Sequence, residues 1–300
     1  NRRMLETLAH CGAFDSMQTN RAKLDAVLDE ALHLAQAHQQ GQQSGQHSLF
    51  ELMDENEVKS TETQLIYPEL RDWKHHHRLK LEKDSLGFYV SGHPLDGFAS
   101  DIRELAVTTM QLQEGDLKEQ EVVSLAGIVV SKTVRLSRSS EKFAIILLED
   151  LRGSLEFPIF ARVYAQTADL LEKDEPLLFT GRVNRRDDGM SLMVDRIRLL
   201  SDVRSEEAKT LDIWLDQENC SPEMIRMLRG MLQKHPGEIS VQLIIRPNQE
   251  SQVSIKLDEK ISAHPALIDE FEEERLWLKP SFHYHQTPEI LQRHSLAAAY

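Results

Sequence analysis

Apolar and polar positions divide the chain into segments with different periods. In residues 1–38 the apolar side chains recur at helical spacing, which predicts amphipathic helices with one buried stripe. Asn20 stands where a cap would begin the main helix of this segment. From residue 39 the composition changes to Gln, Gly and Ser, and such a stretch buries too little apolar surface to fold. We therefore predict a flexible linker over 39–63. The stripe consists of Leu24, Val27, Leu28, Ala31, Leu32 and Ala35.

Residues 122–203 carry the clearest strand pattern. Three apolar runs, a helical stretch and two further apolar runs follow one another. This is the element order of the OB-fold, a five-stranded barrel whose helix lies between strands three and four. Gly127 and Gly181 lie inside predicted strands, as the tight bends of a small barrel require. The predicted elements are strands 123–129, 143–148 and 155–159, a helix over 163–171, and strands 177–183 and 192–199.

Two less regular regions flank the predicted barrel. Residues 64–121 are predicted to be a helical connector in which Gly92-His93-Pro94-Leu95 stops a helix. Residues 204–300 mix strand and helix periods, which indicates a small α+β domain, and no period is usable beyond Lys279. The fold class is therefore multi-domain and mixed, with a helical N-terminal segment, a five-stranded OB-fold barrel and a C-terminal α+β domain. Its predicted elements are strand 211–215, helix 222–234, strands 239–245 and 253–257, and helix 265–276.

Charge and composition narrow the possible partners. The formal net charge of -14 excludes a protein that coats nucleic acid with its whole surface, so contact with DNA must come from local basic patches. No apolar run is long enough to predict a membrane span. Cys11 and Cys220 lie far apart without metal-ligand spacing, which is typical of a reducing, cytoplasmic compartment. The first residues contain no signal core, so we expect residue 1 to be a cut inside a longer protein.

Two basic hairpins are the candidate nucleic-acid site. The loop between the first two barrel strands is predicted to carry four cations against one carboxylate, and the last hairpin carries three more. OB-folds bind single strands with these two loops and with the face of strands two and three. A solvated basic edge is the other interpretation, because stacking candidates are few and most of Phe143, Phe157 and Phe160 should be core. The candidate residues are Lys132, Arg135, Arg138, Lys142, Arg182, Arg185 and Arg186.

A short apolar island interrupts the polar linker. Leu49 and Phe50 have no core of their own to join, and such side chains often anchor a partner protein. Burying both would contribute about 1.5–3 kcal/mol each before ordering costs, which gives weak binding that tethering strengthens. The Gln46 amide would supply directional hydrogen bonds. The other interpretation is a nascent helix that packs on the neighbouring domain.

No catalytic constellation is present in the sequence. It contains no Gly-rich phosphate loop, no nucleophile elbow and no HExxH motif. Consecutive histidines at 75–77 point in different directions on a helix and have no partner at ligand spacing, so we interpret them as part of a solvated basic turn. His283-Tyr284-His285 is interpreted in the same way. We therefore expect no active site, metal site or cofactor site in this chain.

Several stretches together resemble one family. Cys11-Gly12-Ala13-Phe14-Asp15 with Asn20-Arg21-Ala22 resembles the end of the helix-hairpin-helix region of the bacterial DNA polymerase III alpha subunit. The segment EKDSLGFYVSGHPL, residues 82–95, resembles the family's most recognisable segment after the fingers. The barrel pattern and the α+β unit follow in the family's order. The resemblance covers nearly the whole chain except about its last twenty residues, and it identifies the C-terminal portion of a replicative polymerase.

The resemblance implies a set of tethers. The linker peptide would bind the sliding clamp, the beta subunit, through Gln46, Ser48, Leu49 and Phe50. The barrel would contact single-stranded template, and residues 204–300 would contact the clamp-loader tau subunit. The resemblance places the palm carboxylates, and the Mg²⁺ that a polymerase uses, upstream of this chain. Duplex binding by the helix-hairpin-helix region is in doubt because that region is truncated here.

Two alternatives remain open from the sequence. A stand-alone OB-fold protein that binds single-stranded nucleic acid would keep its salt-sensitive affinity without residues 1–60. The error-prone relative of the alpha subunit would carry a weak or displaced clamp peptide. The presence of the peptide favours the replicative form.

Overall fold

The chain is seen in a computed structural model that describes residues 1–17, 19–43, 65–114, 117–186, 189–216, 221–246, 252–273 and 279–284. It divides into two compact units, Asn1–His93 and Pro94–Tyr300. Across these ranges, no helix has the length and apolar content that a membrane crossing needs. The linker peptide predicted at Gln46, Ser48, Leu49 and Phe50 lies outside the described residues, as do residues beyond Tyr284.

The first unit is helical, as predicted. Asn20 caps α2, since its side chain accepts a hydrogen bond from the amide of Lys23 at 2.8 Å. The apolar stripe predicted as one helix divides at Val27 between α2 and α3. The third helix then continues to Gln43, past the residue where composition places the start of the linker. The α-helices in the described part of this unit are α1 Arg2–His10, α2 Arg21–Ala26, α3 Leu28–Gln43 and α4 His75–Leu86.

A buried ion network holds these helices together. The Arg21 guanidinium contacts Asp15 at 2.8 Å, Glu82 at 2.7 Å and the carbonyl oxygen of His10 at 3.1 Å. Glu82 is fully buried, yet its other oxygen accepts the amides of Val90 and Ser91 at 2.7 and 2.9 Å. Burial opposes ionisation, but these donors outweigh it and lower the pKa of Glu82 to about 2. The carboxylate therefore joins α2, α4 and the loop after α4.

The loop after α4 begins earlier than the sequence suggested. Gly87 adopts a φ of +83°, which ends the helix at Leu86 in the left-handed conformation that favours glycine. The expected stop at Gly92-His93-Pro94-Leu95 is therefore too late. The glycine cap allows the chain to turn back so that Val90 and Ser91 reach Glu82.

The second unit contains the predicted five-stranded barrel. Its strand order is β3-β2-β1-β4-β5, all antiparallel, and β5 also lies alongside β3. The helix follows the third strand, so the OB-fold element order is confirmed. The elements are β1 Val122–Leu136, β2 Lys142–Glu149, β3 Ser154–Ile159, α7 Ala161–Thr167, β4 Leu177–Arg186 and β5 Gly189–Leu199.

Two glycines allow the barrel strands to approach closely. A Cβ on Gly127 would lie 2.5 Å from the carbonyl oxygen of Glu149, and one on Gly181 would overlap the carbonyl of Met193. Any side chain at these positions would push neighbouring strands apart. The interior is filled by inward-facing apolar side chains that include Leu125, Ile146, Phe157, Phe179 and Leu192.

A second, four-stranded sheet confirms the α+β domain. Its order is β8-β7-β6-β9, with β6 and β7 parallel and the outer pairs antiparallel. Both long helices pack on one face of it. The strand at residues 279–283 carries no usable period and was not predicted. The elements are β6 Thr210–Asp216, α9 Pro222–Lys234, β7 Pro236–Arg246, β8 Val253–Ile261, α10 Pro265–Glu273 and β9 Lys279–His283.

Three further helices flank the barrel, two of them before its first strand and the third between its last strand and the second sheet. They are α5 Ala99–Leu105, α6 Thr109–Glu114 and α8 Leu200–Glu207. The Arg204 side chain on α8 is buried against Asp101 on α5, with Nε at 3.0 Å from the carboxylate. The same carboxylate accepts the hydroxyl of Tyr284, which follows β9. One ion pair thus ties the connector, the end of the barrel and the second sheet together.

The final strand carries a second polar contact. His283 lies between two carboxylates, with Glu104 at its Nδ1 and Asp212 3.2 Å from its Nε2. The hydrogen bond with Glu104 raises the pKa of His283 above its ordinary value of 6.5. The charged imidazole therefore stabilises the docking of β9 at low pH, and this contribution is lost as pH rises through the raised pKa.

Replacing Asp101 tests the ion pair at the centre of the second unit. We expect Asp101→Asn to lower the free energy of unfolding by about 3–5 kcal/mol, because Arg204 would stay buried without a counter-charge. Urea unfolding measures the change. Asp202→Asn, on the exposed side of α8, is the matched control and should change stability by less than about 0.5 kcal/mol. Equal stabilities of the two variants would contradict the assignment.

The role of Glu82 predicts that the structure of the loop after α4 depends on pH. We expect Glu82→Gln to speed amide exchange at residues 88–93 at neutral pH, since an amide accepts these hydrogen bonds less well than a carboxylate. In the wild type the protection should be complete above pH 4.5 and fall as pH approaches about 2, where Glu82 protonates. Hydrogen exchange of the full chain across this pH range measures both effects. Identical pH profiles for wild type and variant would rule out Glu82 as the anchor.

Candidate nucleic-acid interface

The first strand of the barrel, β1, is long enough to pair with two different strands, one after the other. Val122–Gly127 pairs with β4, and Ile128–Leu136 pairs with β2 after a bulge near Val129. A strand that changes partners along its length curves around the barrel. Beyond Ala144, where the pairing of β2 with β3 begins, β1 and β2 continue alone as a projecting hairpin.

The predicted basic loop is therefore mostly strand. Lys132 and Arg135 lie on β1, Lys142 is the first residue of β2, and Arg138 alone lies in the turn. The turn is short because the Ser137 hydroxyl accepts the amide of Glu141 at 3.1 Å. The expectation that these residues form a loop is wrong. The first strand continues to Leu136, well past the predicted end at residue 129, because Thr133 and Val134 have high β propensity.

Register separates the cations of this hairpin into two groups. Lys132 faces the same side as the buried Ile146, and its ammonium group pairs with Glu172. The Lys132 side chain is only 13% exposed, and its charge is already paired with the Glu172 carboxylate. Arg135, Arg138 and Lys142 are exposed.

An aromatic side chain lies beside these cations. Arg135 is directly opposite Phe143 on the outer face of the barrel, and Phe143 is half-buried. Phe160 follows β3 one step beyond the Ala144–Ile159 pair and is 48% exposed. Phe157, by contrast, is core and contacts Phe179 edge to face at 5.6 Å. The outer face thus offers two aromatic surfaces and a guanidinium plane.

The second basic hairpin is formed by β4 and β5, and one of its three predicted cations has an acidic partner that the sequence did not indicate. Arg182 lies 3.6 Å from Asp195 across the β4–β5 pair. Arg185 is exposed, and the side chain of Arg186 lies outside the described part of the chain. Arg196 is an exposed cation that the sequence reasoning missed, although its place beside the buried Ile197 gives the strand alternation that could have identified it.

A family model supports the architecture of this region. Residues 123–200 match the model of the OB-fold nucleic acid binding domain named tRNA_anti-codon. Two solved structures resemble part of the chain, a domain of replication protein A from Methanococcus maripaludis and the hypothetical protein ygiW from Escherichia coli. They are 19% and 15% identical and cover 28% and 31% of this chain and 88% of their own, each with a TM-score of 0.23. Scores this low carry no further argument.

Curated relatives cover far more of the chain. A subunit from Neisseria meningitidis serogroup A is 30% identical over 91% of this chain, and one from Mycobacterium tuberculosis is 27% identical over the same share. A third, from Escherichia coli K12, is 30% identical over 81%. All three are named DNA polymerase III subunit alpha. This chain is related to the DNA polymerase III alpha subunit.

The chain spans only part of those relatives. It covers 23% of the Neisseria and Mycobacterium subunits and 21% of the Escherichia coli subunit. Within residues 82–95, the segment that resembles the alpha subunit, Glu82 is the buried anchor of the first unit. The OB-fold region is one part of a match to the alpha subunit that extends well beyond the barrel.

Proposed function

We propose that this chain holds a replicative DNA polymerase to its single-stranded template, its sliding clamp and its clamp loader, while catalysis takes place in another part of the same protein. The main support is the combination of the outer barrel face, where Arg135 lies opposite Phe143, with the relation to DNA polymerase III alpha subunits. The nucleotidyl-transfer activity and its Mg²⁺ belong, in this proposal, to the remainder of the polymerase.

Single-stranded DNA would cross the outer face of β1 and β2. A base can stack on the Phe143 ring with Arg135 beside it, and such stacking contributes about 1–3 kcal/mol per base. Arg138 and Lys142 at the tip would contact phosphates. Stacking and phosphate contact do not depend on base identity, which suits a template of any sequence.

The charge of the chain favours local contact over general contact. The net charge of -14 repels DNA from most of the surface. The attraction to the hairpin cations therefore determines where and in which orientation a DNA strand binds. The three exposed cations of the β1–β2 hairpin, Arg135, Arg138 and Lys142, predict a modest salt dependence, with a slope of about −2 in log K against log salt concentration for a single strand. Weak, sequence-independent binding of this kind suits a module that must move along the template.

Phe143→Ala tests the stacking surface. We expect affinity for an oligothymidine to fall about 5- to 100-fold, in proportion to the loss of one stacked base, with little change in salt dependence. Arg138→Ala should instead reduce the salt slope by about 0.7. Fluorescence anisotropy at several salt concentrations measures both. Phe88→Ala, an exposed phenylalanine of the first unit, is the control. Equal affinity of Phe143→Ala and Phe88→Ala would contradict binding on this face.

The clamp contact rests on the linker peptide. Leu49 and Phe50 would fill an apolar pocket on the sliding clamp while Gln46 and Ser48 make hydrogen bonds, and the tether to a DNA-bound module would raise the effective concentration. The peptide is also what favours the replicative subunit over its error-prone relative. Residues 204–300, with the second sheet, are proposed to contact the clamp-loader tau subunit.

A double substitution tests the clamp contact. We expect Leu49→Ala with Phe50→Ala to abolish measurable binding to the clamp and to reduce processive synthesis by the full polymerase, because both apolar anchors are lost. Leu52→Ala with Met53→Ala, in the same apolar island, is the matched control. Surface plasmon resonance with immobilised clamp measures affinity. Unchanged binding of the first variant would remove the clamp from the proposal and leave the DNA contact untouched.

A further inference from the structure

Three metal-ligand side chains converge on the face between α1 and α2. Glu6 and His10 lie one helical turn apart on α1, which places them on the same face, and Asp25 lies opposite them on α2. Their nearest ligand atoms all lie within 4.8 Å of one another. All three side chains are partly buried, so the group is shielded yet open to an ion from solvent.

We propose that Glu6, His10 and Asp25 bind one divalent transition-metal cation of the Zn²⁺ class. One imidazole and two carboxylates are a ligand set that Zn²⁺ accepts, with water in the fourth position. The two carboxylates supply the negative charge that balances the cation. Binding would join α1 to α2 and stabilise the first unit, which is a role separate from DNA or clamp contact.

The distances allow such a site with a small adjustment. Tetrahedral Zn²⁺ with bonds of about 2.0–2.2 Å places its ligand atoms about 3.3 Å apart. His10 Nε2 and Asp25 Oδ1 are already 3.2 Å apart. Glu6 therefore has to move by about 1–2 Å, which a long, partly exposed side chain does by changing rotamer.

The neighbouring groups are compatible with this movement. Arg2 lies 3.4 Å from Glu6, but it holds Asp29 more closely, at 2.6 Å, and can keep that partner when Glu6 turns to the cation. On the other side, the Trp73 ring meets the His10 ring edge to face at 5.4 Å. That contact fixes the imidazole plane and reduces the entropy lost when His10 binds an ion.

Trp73 also provides the measurement. In a chain whose other two tryptophans are replaced, Trp214→Phe with Trp277→Phe, we expect Co²⁺ to quench the fluorescence of Trp73 in a saturable way, and Zn²⁺ to reverse the quenching by competition. His10→Ala and Glu6→Gln should each weaken Co²⁺ affinity by more than tenfold, since each removes a direct ligand. Glu6→Gln is the milder change because the side chain is partly exposed, so it keeps the test valid if His10→Ala disturbs folding. Far-UV circular dichroism checks the fold of both variants.

A matched control separates this site from the histidine run. His77 meets the other side of the same Trp73 ring at 5.7 Å, so an ion bound by residues 75–77 would quench the same tryptophan. His77→Ala should therefore retain full quenching and affinity. Quenching that survives in Glu6→Gln and His10→Ala, or that is lost in His77→Ala, would overturn the proposal, as would quenching that never saturates.

Discussion

The buried pair of Arg204 and Asp101 is the constraint on which the second unit depends. Two charges removed from water are costly unless every donor and acceptor finds a partner. The guanidinium meets this condition with the Asp101 carboxylate, the carbonyl oxygen of Gly97 and the faces of Phe98 and Phe282. These partners come from the connector and from β9, which lie far apart in sequence. The barrel and the second sheet therefore fold as one compact unit.

Structural ion pairs limit which cations are available to the proposed nucleic-acid interface. Arg204 is committed to the interior, Lys132 to Glu172, and Arg198 to Glu206 and Glu207, so these charges have structural partners. Among the described barrel residues, exposed cations remain on the projecting β1–β2 hairpin, at Arg135, Arg138 and Lys142, and on the β4–β5 pair, at Arg185 and Arg196. A rigid base below the hairpin would keep Arg135 and Phe143 in register when a strand binds, which lowers the entropic cost of binding.

The sequence was sufficient for the barrel because its signals are local. The alternation of apolar and polar residues along 123–129 and 155–159 indicates which side chains face the interior, and the structure confirms those strands. The strand at Lys279–His283 could not be predicted, because its side chains are fixed by contacts with residues that are distant in sequence. Phe282 packs in the core of the second sheet, and His283 contacts the carboxylates of Glu104 and Asp212. The ion pair of Lys132 with Glu172 could not be predicted for a similar reason, because Glu172 lies forty residues away and periodicity carries no information about it.

The segment that most resembles the polymerase family has a structural role in the first unit. Glu82 begins it and is buried, Gly87 supplies the left-handed turn, and Val90 and Ser91 return their amides to the same carboxylate. Arg21, from another stretch that resembles the family, completes the network. Residues far apart in sequence thus share one buried carboxylate. Replacing Arg21 alone would leave that carboxylate buried without a counter-charge, whereas replacing Glu82 would leave Arg21 paired with Asp15. A recognisable sequence segment can therefore form a structural anchor, separate from the hairpins and the linker in which the proposed binding residues lie.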